Sequence, residues 1–199
     1  MVGSVALLLT PSIHAKAIRT IGLVTTLITL VLSLVMFCGF KAGEVGYQFV
    51  EKYSWIPTYG IEYNIGVDGM SMLLMVLTTI LTVISLVSSR DSVKERLKEF
   101  ILSILLLETA MLGTFASLDV FFFYIFWELM LIPMFILIGV FGGSRRIYAT
   151  LKFFLYTAFG SLLMLAGFIA LYVMHYQQTG THSTALSSLL NVQVPFHLQ

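Results

Sequence analysis

The chain has 199 residues, 58% of them hydrophobic and 11% charged, with a formal net charge of +1. Soluble domains carry roughly a quarter of their residues as charges, so this composition excludes an ordinary water-soluble enzyme. The eleven Lys and Arg sit beside apolar runs and form no nucleic-acid motif, so no nucleic-acid partner is expected. Cys38 stands alone at the end of an apolar run, which excludes an internal disulfide framework and predicts a small buried thiol.

In chain order, residues 1–10 are apolar but too few to span a bilayer, and Pro11 follows them. The basic residues His14, Lys16 and Arg19 lie behind this run, the reverse of a signal peptide. The segment reads as the tail of a helix that begins earlier, or as a short interfacial helix. The abrupt end at Val194–Gln199 likewise predicts a fragment.

The first span is expected over about 18–40, where Thr25, Thr26 and Thr29 can return their hydroxyls to carbonyls one turn earlier. Residues 41–66 cannot span, because Glu44, Glu51, Lys52 and Glu62 interrupt them. Their tyrosines, Trp55 and Pro57 predict an external loop at the headgroup layer or on the protein. Asp68 and Ser71 are candidate caps for a second span over about 70–87. The linker 88–99 holds Arg90, Lys94, Arg96 and Lys98, which marks the cytoplasmic side. A third span over about 100–116 carries Glu108, and a tight turn at 117–119 leads into a fourth over about 120–141.

The fourth span holds the most informative stretch, Phe126-Trp127-Glu128-Leu129-Met130-Leu131-Ile132-Pro133. An ionisable group inside a membrane span is costly and is by default a functional group. Pro133 lacks an amide and clashes with the carbonyl of Leu129, so the helix should bend or loosen just beyond Glu128. Trp127 is too deep for an interface anchor and is expected to pack against a neighbouring helix. At 1.5 Å rise per residue, Glu108 and Glu128 each lie about 15 Å from the connecting turn, at nearly the same depth. Two such acids can share or relay a proton. Alternatively they are neutral groups that hydrogen-bond helices together.

A short basic linker, Gly142–Arg146, precedes a fifth span over about 148–174. Lys152, near its start, can extend its ammonium back to the headgroups. Residues 175–199 turn polar and are read as a separate segment, the start of a loop or helix. The basic segments 14–19, 90–98 and 145–146 occur at alternate turns and agree on one orientation. The expected fold class is therefore an all-α membrane protein, a polytopic transmembrane helical bundle over residues 1–174. Glycine-rich phosphate loops, zinc spacings and nucleophile constellations are absent from the sequence, and its four histidines do not pair within one span. That leaves vectorial chemistry: moving a proton or cation, or serving an assembly that does.

The segments 126–134 (Phe-Trp-Glu-Leu-Met-Leu-Ile-Pro-Met) and 146–157 (Arg-Ile-Tyr-Ala-Thr-Leu-Lys-Phe-Phe-Leu-Tyr-Thr) closely resemble the subunit M, or chain 4, family. These are antiporter-like membrane subunits of the proton-translocating NADH:quinone oxidoreductase, respiratory complex I. Gly66-Val67-Asp68-Gly69, Leu73–Leu81, Lys94-Glu95-Arg96 and Leu107-Glu108 resemble the family as well. The resemblance implies an incomplete first inverted repeat of the antiporter-like fold, matching the family's N-terminal portion. It implies that Glu128 is the membrane-embedded glutamate of the family's fifth helix and that Glu108 is the acid of the fourth. Pro133, Trp127, Lys152 and Asp68 would support them. The partner lysine of Glu128 would lie on a later, broken helix outside these residues, and Lys152 is not that lysine. No cofactor is expected on this chain; FMN, iron–sulfur clusters, NADH and quinone would be bound by other subunits. Expected partners are the other membrane-arm subunits, including neighbouring antiporter-like ones, and membrane lipid. The implied location is the bacterial inner membrane, or the mitochondrial inner membrane for an organellar protein. Two other readings remain open at this stage: a part of a multisubunit cation/proton antiporter, and a purely structural membrane module.

Overall fold

The computed structural model describes residues 2–10, 14–44 and 46–194. Among these residues five helical stretches are long and apolar enough to cross a membrane: Ala15–Gly39, Gly69–Ser88, Leu97–Ala116, Val120–Phe141 and Arg146–Thr179. The elements in order are α1 (Val2–Leu9), α2 (Ala15–Gly39), β1 (Gln48–Ile56), β2 (Ile61–Val67), α3 (Gly69–Ser88) and α4 (Leu97–Ala116). Then follow α5 (Val120–Leu129), α6 (Leu131–Phe141), α7 (Arg146–Thr179) and α8 (Leu186–Leu189). The chain is a helical membrane bundle, as its composition and apolar run lengths require.

Helix α4 is the hub, packed against α1, α2, α3, α5 and α6. At the basic end of the bundle Leu7, Ile18, Leu86, Ile101 and Leu105 form a buried cluster that joins the first four helices. There the short α1 packs on α2 and α4, with Gly3, Ser4 and Leu7 buried. Its last carbonyls, which have no helical donor, are closed by Lys98: Nζ donates to the carbonyls of Leu8 at 2.9 Å and Thr10 at 2.8 Å. Nearer the other end the Ser33 and Thr79 hydroxyls meet at 2.8 Å and tie α2 to α3. Thr25, Thr26 and Thr29 return their hydroxyls to carbonyls of the preceding turn, which satisfies them without a pore.

Two sequence expectations are corrected. Residues 48–67 form an antiparallel hairpin, with Tyr53 opposite Tyr63 and Lys52 opposite Asn64, where a loop was expected. Ile61, Tyr63, Ile65 and Val67 alternate with Glu62, Asn64 and Gly66 in the two-residue period of a strand, and in the fold both faces are covered, since Asn64 and Gly66 are buried along with Ile61 and Val67. The rings and Pro57 drew attention to the headgroup layer and masked that period. Pro57 opens a single 3₁₀ turn, and Gly60, at φ 64°, closes it in a left-handed conformation that a side chain disfavours. Cys38 is exposed on the outer face of α2 and is not buried, because the last turns of that helix meet few neighbours.

Gly113 sets the distance between α4 and α5. A Cβ there would overlap the ring of Phe126. Gly113→Ala is expected to destabilise the bundle by about 1–3 kcal/mol, the usual cost of overpacking. A lowered thermal-aggregation midpoint of the detergent-purified protein checks this, and an unchanged midpoint would show that Phe126 can swing aside without cost.

Candidate functional site

Two acids sit within the apolar helices. Glu108 lies on the buried side of α4, the face that also carries Ile101 and Leu105, and is only 3% exposed. Glu128 lies one residue before the end of α5 and is half-buried. In each, Oε1 is buried and has no hydrogen-bond partner. None of the three ion pairs among the described residues, Lys41–Glu44, Lys52–Glu62 and Arg96–Glu99, involves either acid. An ionised carboxylate held this way is costly unless a cation or water reaches it.

The antiparallel pairing of α4 with α5 places the acids in depth. Gly113 faces Phe126, and both glutamates lie beyond that contact, away from the connecting turn. At 1.5 Å per residue, the five-residue and two-residue offsets put them within about 5 Å of each other in depth. Both therefore occupy the same layer of the bundle, on helices in direct contact.

The helix carrying Glu128 is interrupted two residues later, at Met130, where α5 gives way to α6. Pro133 is almost wholly buried and has no N–H, so the carbonyl of Leu129 loses its usual donor one turn on. The flanking bonds, Met130 N–H to Phe126 and Met134 N–H to Met130, are both long at 3.3 Å. A loosened turn thus lies directly against the acid. Trp127 stacks on Phe123 of its own helix, with ring centroids 5.8 Å apart, and Phe123 in turn meets Phe168 of α7 edge-on. On an adjoining face Phe122 packs against Tyr63 and Trp55 of the hairpin. Helix α5 is held by aromatic contacts from two directions, which fixes the azimuth of Glu128.

Lys152 is exposed near the start of α7, 5.8 Å from the ring of Tyr148. It takes part in none of the three ion pairs among the described residues. Asp68 caps α3: its carboxylate accepts the Ser71 N–H at 2.7 Å. That hydrogen bond holds the Asp68 carboxyl below its ordinary value. Asp68 therefore orders the start of α3 and stands apart from the two buried acids.

Sequence reasoning missed three residues. Tyr124, one helical turn before Glu128, brings its phenol into interaction with the Glu128 carboxylate and with Ser161 of α7. The four-residue spacing from Glu128 was the available signal. Asp119, only 1% exposed, caps α5 by accepting the N–H groups of Phe121 at 2.9 Å and Phe122 at 3.2 Å. Its other oxygen accepts the Thr184 hydroxyl and, at 3.4 Å, the Glu62 N–H. An acid directly before an apolar run is a helix-start signal, but nothing local announces Thr184.

A family model described as NADH:quinone oxidoreductase/Mrp antiporter, transmembrane, matches residues 117–196. The chain is 46% identical over 156 residues to NADH-quinone oxidoreductase subunit M of Rhodobacter capsulatus, covering 78% of this chain and 30% of that protein. It is 40% identical over 194 residues to NADH-ubiquinone oxidoreductase chain 4 of Arabidopsis thaliana, covering 97% and 38%. Its fold matches a chain of respiratory complex I from Thermus thermophilus with bound NADH at a TM-score of 0.77 and 26% identity, covering 98% of this chain and 38% of that one. The chain thus spans about a third of the length of the curated relatives it matches. Residues 117–196 thus carry the transmembrane region shared by NADH:quinone oxidoreductase and Mrp antiporter subunits, and the similarity to subunit M and chain 4 proteins extends over most of the chain.

Proposed function

We propose that the chain forms part of a membrane-arm, proton-translocating subunit of an NADH:quinone oxidoreductase, in a bacterial inner or mitochondrial inner membrane. The observation that carries this reading is the pair of buried acids, Glu108 and Glu128, at one depth on adjoining helices, each with an unpartnered oxygen. In this reading Glu128 is the proton-exchanging group and Glu108 its relay. Tyr124 orients the Glu128 carboxylate, and the loosened turn at Met130–Pro133 admits water beside it. A lysine outside these residues would pair with the ionised Glu128. When quinone reduction elsewhere in the assembly opens that pair, the carboxylate loses its cation and takes up a proton. FMN, the iron–sulfur clusters, NADH and quinone are held by other subunits. The direct partners are the neighbouring antiporter-like and other membrane-arm subunits.

A second reading follows from the family model, which spans Mrp antiporters as well. The same carboxylates would then serve cation/proton exchange without any redox partner. Affinity purification of the chain from its own membranes in mild detergent separates the two. Co-purification with flavin- and cluster-bearing subunits and NADH-oxidising activity is the expected result. Recovery with antiporter subunits alone would overturn the assignment in favour of the second reading.

A further inference from the structure

We propose that the cleft between the basic ends of α2, α3 and α4 is a binding site for an anionic phospholipid. The cleft has a volume of about 550 Å³. Its rim carries Lys16, Arg19 and Arg90, and its floor is apolar, built from side chains that include Leu23, Leu86 and Ile101. Among the described residues no acidic one lines it. The three ion pairs among the described residues all lie elsewhere, so none of these three cations is neutralised by a carboxylate. Two neighbouring cations are engaged otherwise: Arg96 is paired with Glu99, and Lys98 is bonded to the end of α1.

Arg19 is also held in place. One of its terminal nitrogens donates to the Val93 carbonyl at 3.0 Å, which anchors the guanidinium over the cleft and leaves its remaining donors open. Three cations placed where five apolar spans meet the headgroup layer are matched by a phosphodiester. The apolar floor directly beneath is matched by an acyl chain. A free phosphate would use the rim and leave the floor empty, and a lipid with a cationic headgroup would bring its own positive charge against three others. The occupant that satisfies both halves is a lipid with net negative charge, such as phosphatidylglycerol or cardiolipin. This site is independent of the proton chemistry, since it lies at the end of the bundle and not in the layer of Glu108 and Glu128.

The test uses phosphatidylglycerol carrying a photoactivatable diazirine in its acyl chain, added to the detergent-purified complex that contains the chain. Crosslinks are mapped by peptide mass spectrometry. The expected result is labelling of peptides that contain Leu23, Leu86 or Ile101, competed by unlabelled phosphatidylglycerol but not by phosphatidylcholine or inorganic phosphate. Combined Lys16→Gln and Arg90→Gln should lower the labelling by roughly tenfold or more, at a few-fold per cation. Arg145→Gln with Arg146→Gln, which removes as much charge at the same end, should leave it unchanged. Equal labelling by photoactivatable phosphatidylcholine, or no label at these peptides, would overturn the proposal. Competition by inorganic phosphate as effective as by the lipid would show a simple anion site instead. If the double variant fails to assemble, the competition series on the unmodified protein decides the matter.

Discussion

Glu128→Gln is expected to reduce proton translocation by the proposed assembly by about a hundredfold or more, the loss typical when a positioned proton-transfer group is removed. The assembly should remain intact. Glutamine has nearly the same volume and keeps an acceptor oxygen toward Tyr124, so the aromatic contacts that hold α5 on two faces are not disturbed. What it cannot do is gain or lose a proton at working pH. The informative measurement is pumping by the purified assembly in sealed vesicles, read with a pH-sensitive dye, alongside its catalytic turnover and its subunit composition. Undiminished pumping with the variant present in the assembly would remove Glu128 from the proton path. If Glu108→Gln were also without effect, the two acids would be no more than neutral struts between helices.

Asp119→Ala is expected to have the largest effect on stability, about 3 kcal/mol from the combined loss of a helix cap and buried hydrogen bonds. Oδ1 closes the first two free amides of α5, and Oδ2 accepts the Thr184 hydroxyl inside the protein. Alanine leaves those amides without a partner where water does not reach. Asp119→Asn keeps the Oδ1 acceptor and the cap but puts a second donor opposite the Thr184 hydroxyl, so it should fall between alanine and the unmodified protein. The Thr184 hydroxyl also lies 3.1 Å from the Gly60 carbonyl, and its single proton serves one acceptor at a time; that carbonyl keeps the Thr184 N–H at 3.2 Å. Thermal-aggregation midpoints in one detergent should rank the three proteins in the order Asp, Asn, Ala. Equal midpoints would show that the contacts to Thr184 and the α5 amides contribute nothing to the fold.

How much of this was legible in the sequence depends on the range of the interaction. The spans were legible because an apolar run of some twenty residues is itself the physical requirement for crossing a bilayer. Glu108 and Glu128 were legible because a carboxylate inside such a run is rare. The loosened turn was foreshadowed by Pro133, although the break falls three residues earlier, at Met130, within the turn that the proline deprives of a donor. The hairpin was not legible as it was read, because Tyr53, Trp55 and Pro57 have two explanations in a membrane protein and the strand period was not weighed against them. Neither were the contacts of Asp119 with Thr184, 65 residues on, since local pattern carries no record of a hydrogen bond across that separation. Trp127 shows the same limit in miniature: its depth pointed to a neighbouring helix, and its ring stacks on Phe123 one turn back.

The contacts around Asp119 have a consequence for biogenesis. Gly60, Asn64, Leu118, Asp119 and Thr184 meet at one end of the bundle through hydrogen bonds that include Leu118 to Asn64, Val120 to Thr184 and Thr184 to Gly60. Between Gly60 and Asp119 the chain crosses the membrane twice, through α3 and α4, and between Asp119 and Thr184 it crosses twice more, through α5–α6 and α7. The three strands of chain can meet only if both intervals contain an even number of crossings. A helix that failed to insert would leave one partner on the wrong side of the bilayer, with the Asp119 cap exposed and unclosed. The junction is in effect a parity check on insertion, completed only when the last of the five spans has threaded, and a chain that fails it offers loose backbone amides to quality-control proteases.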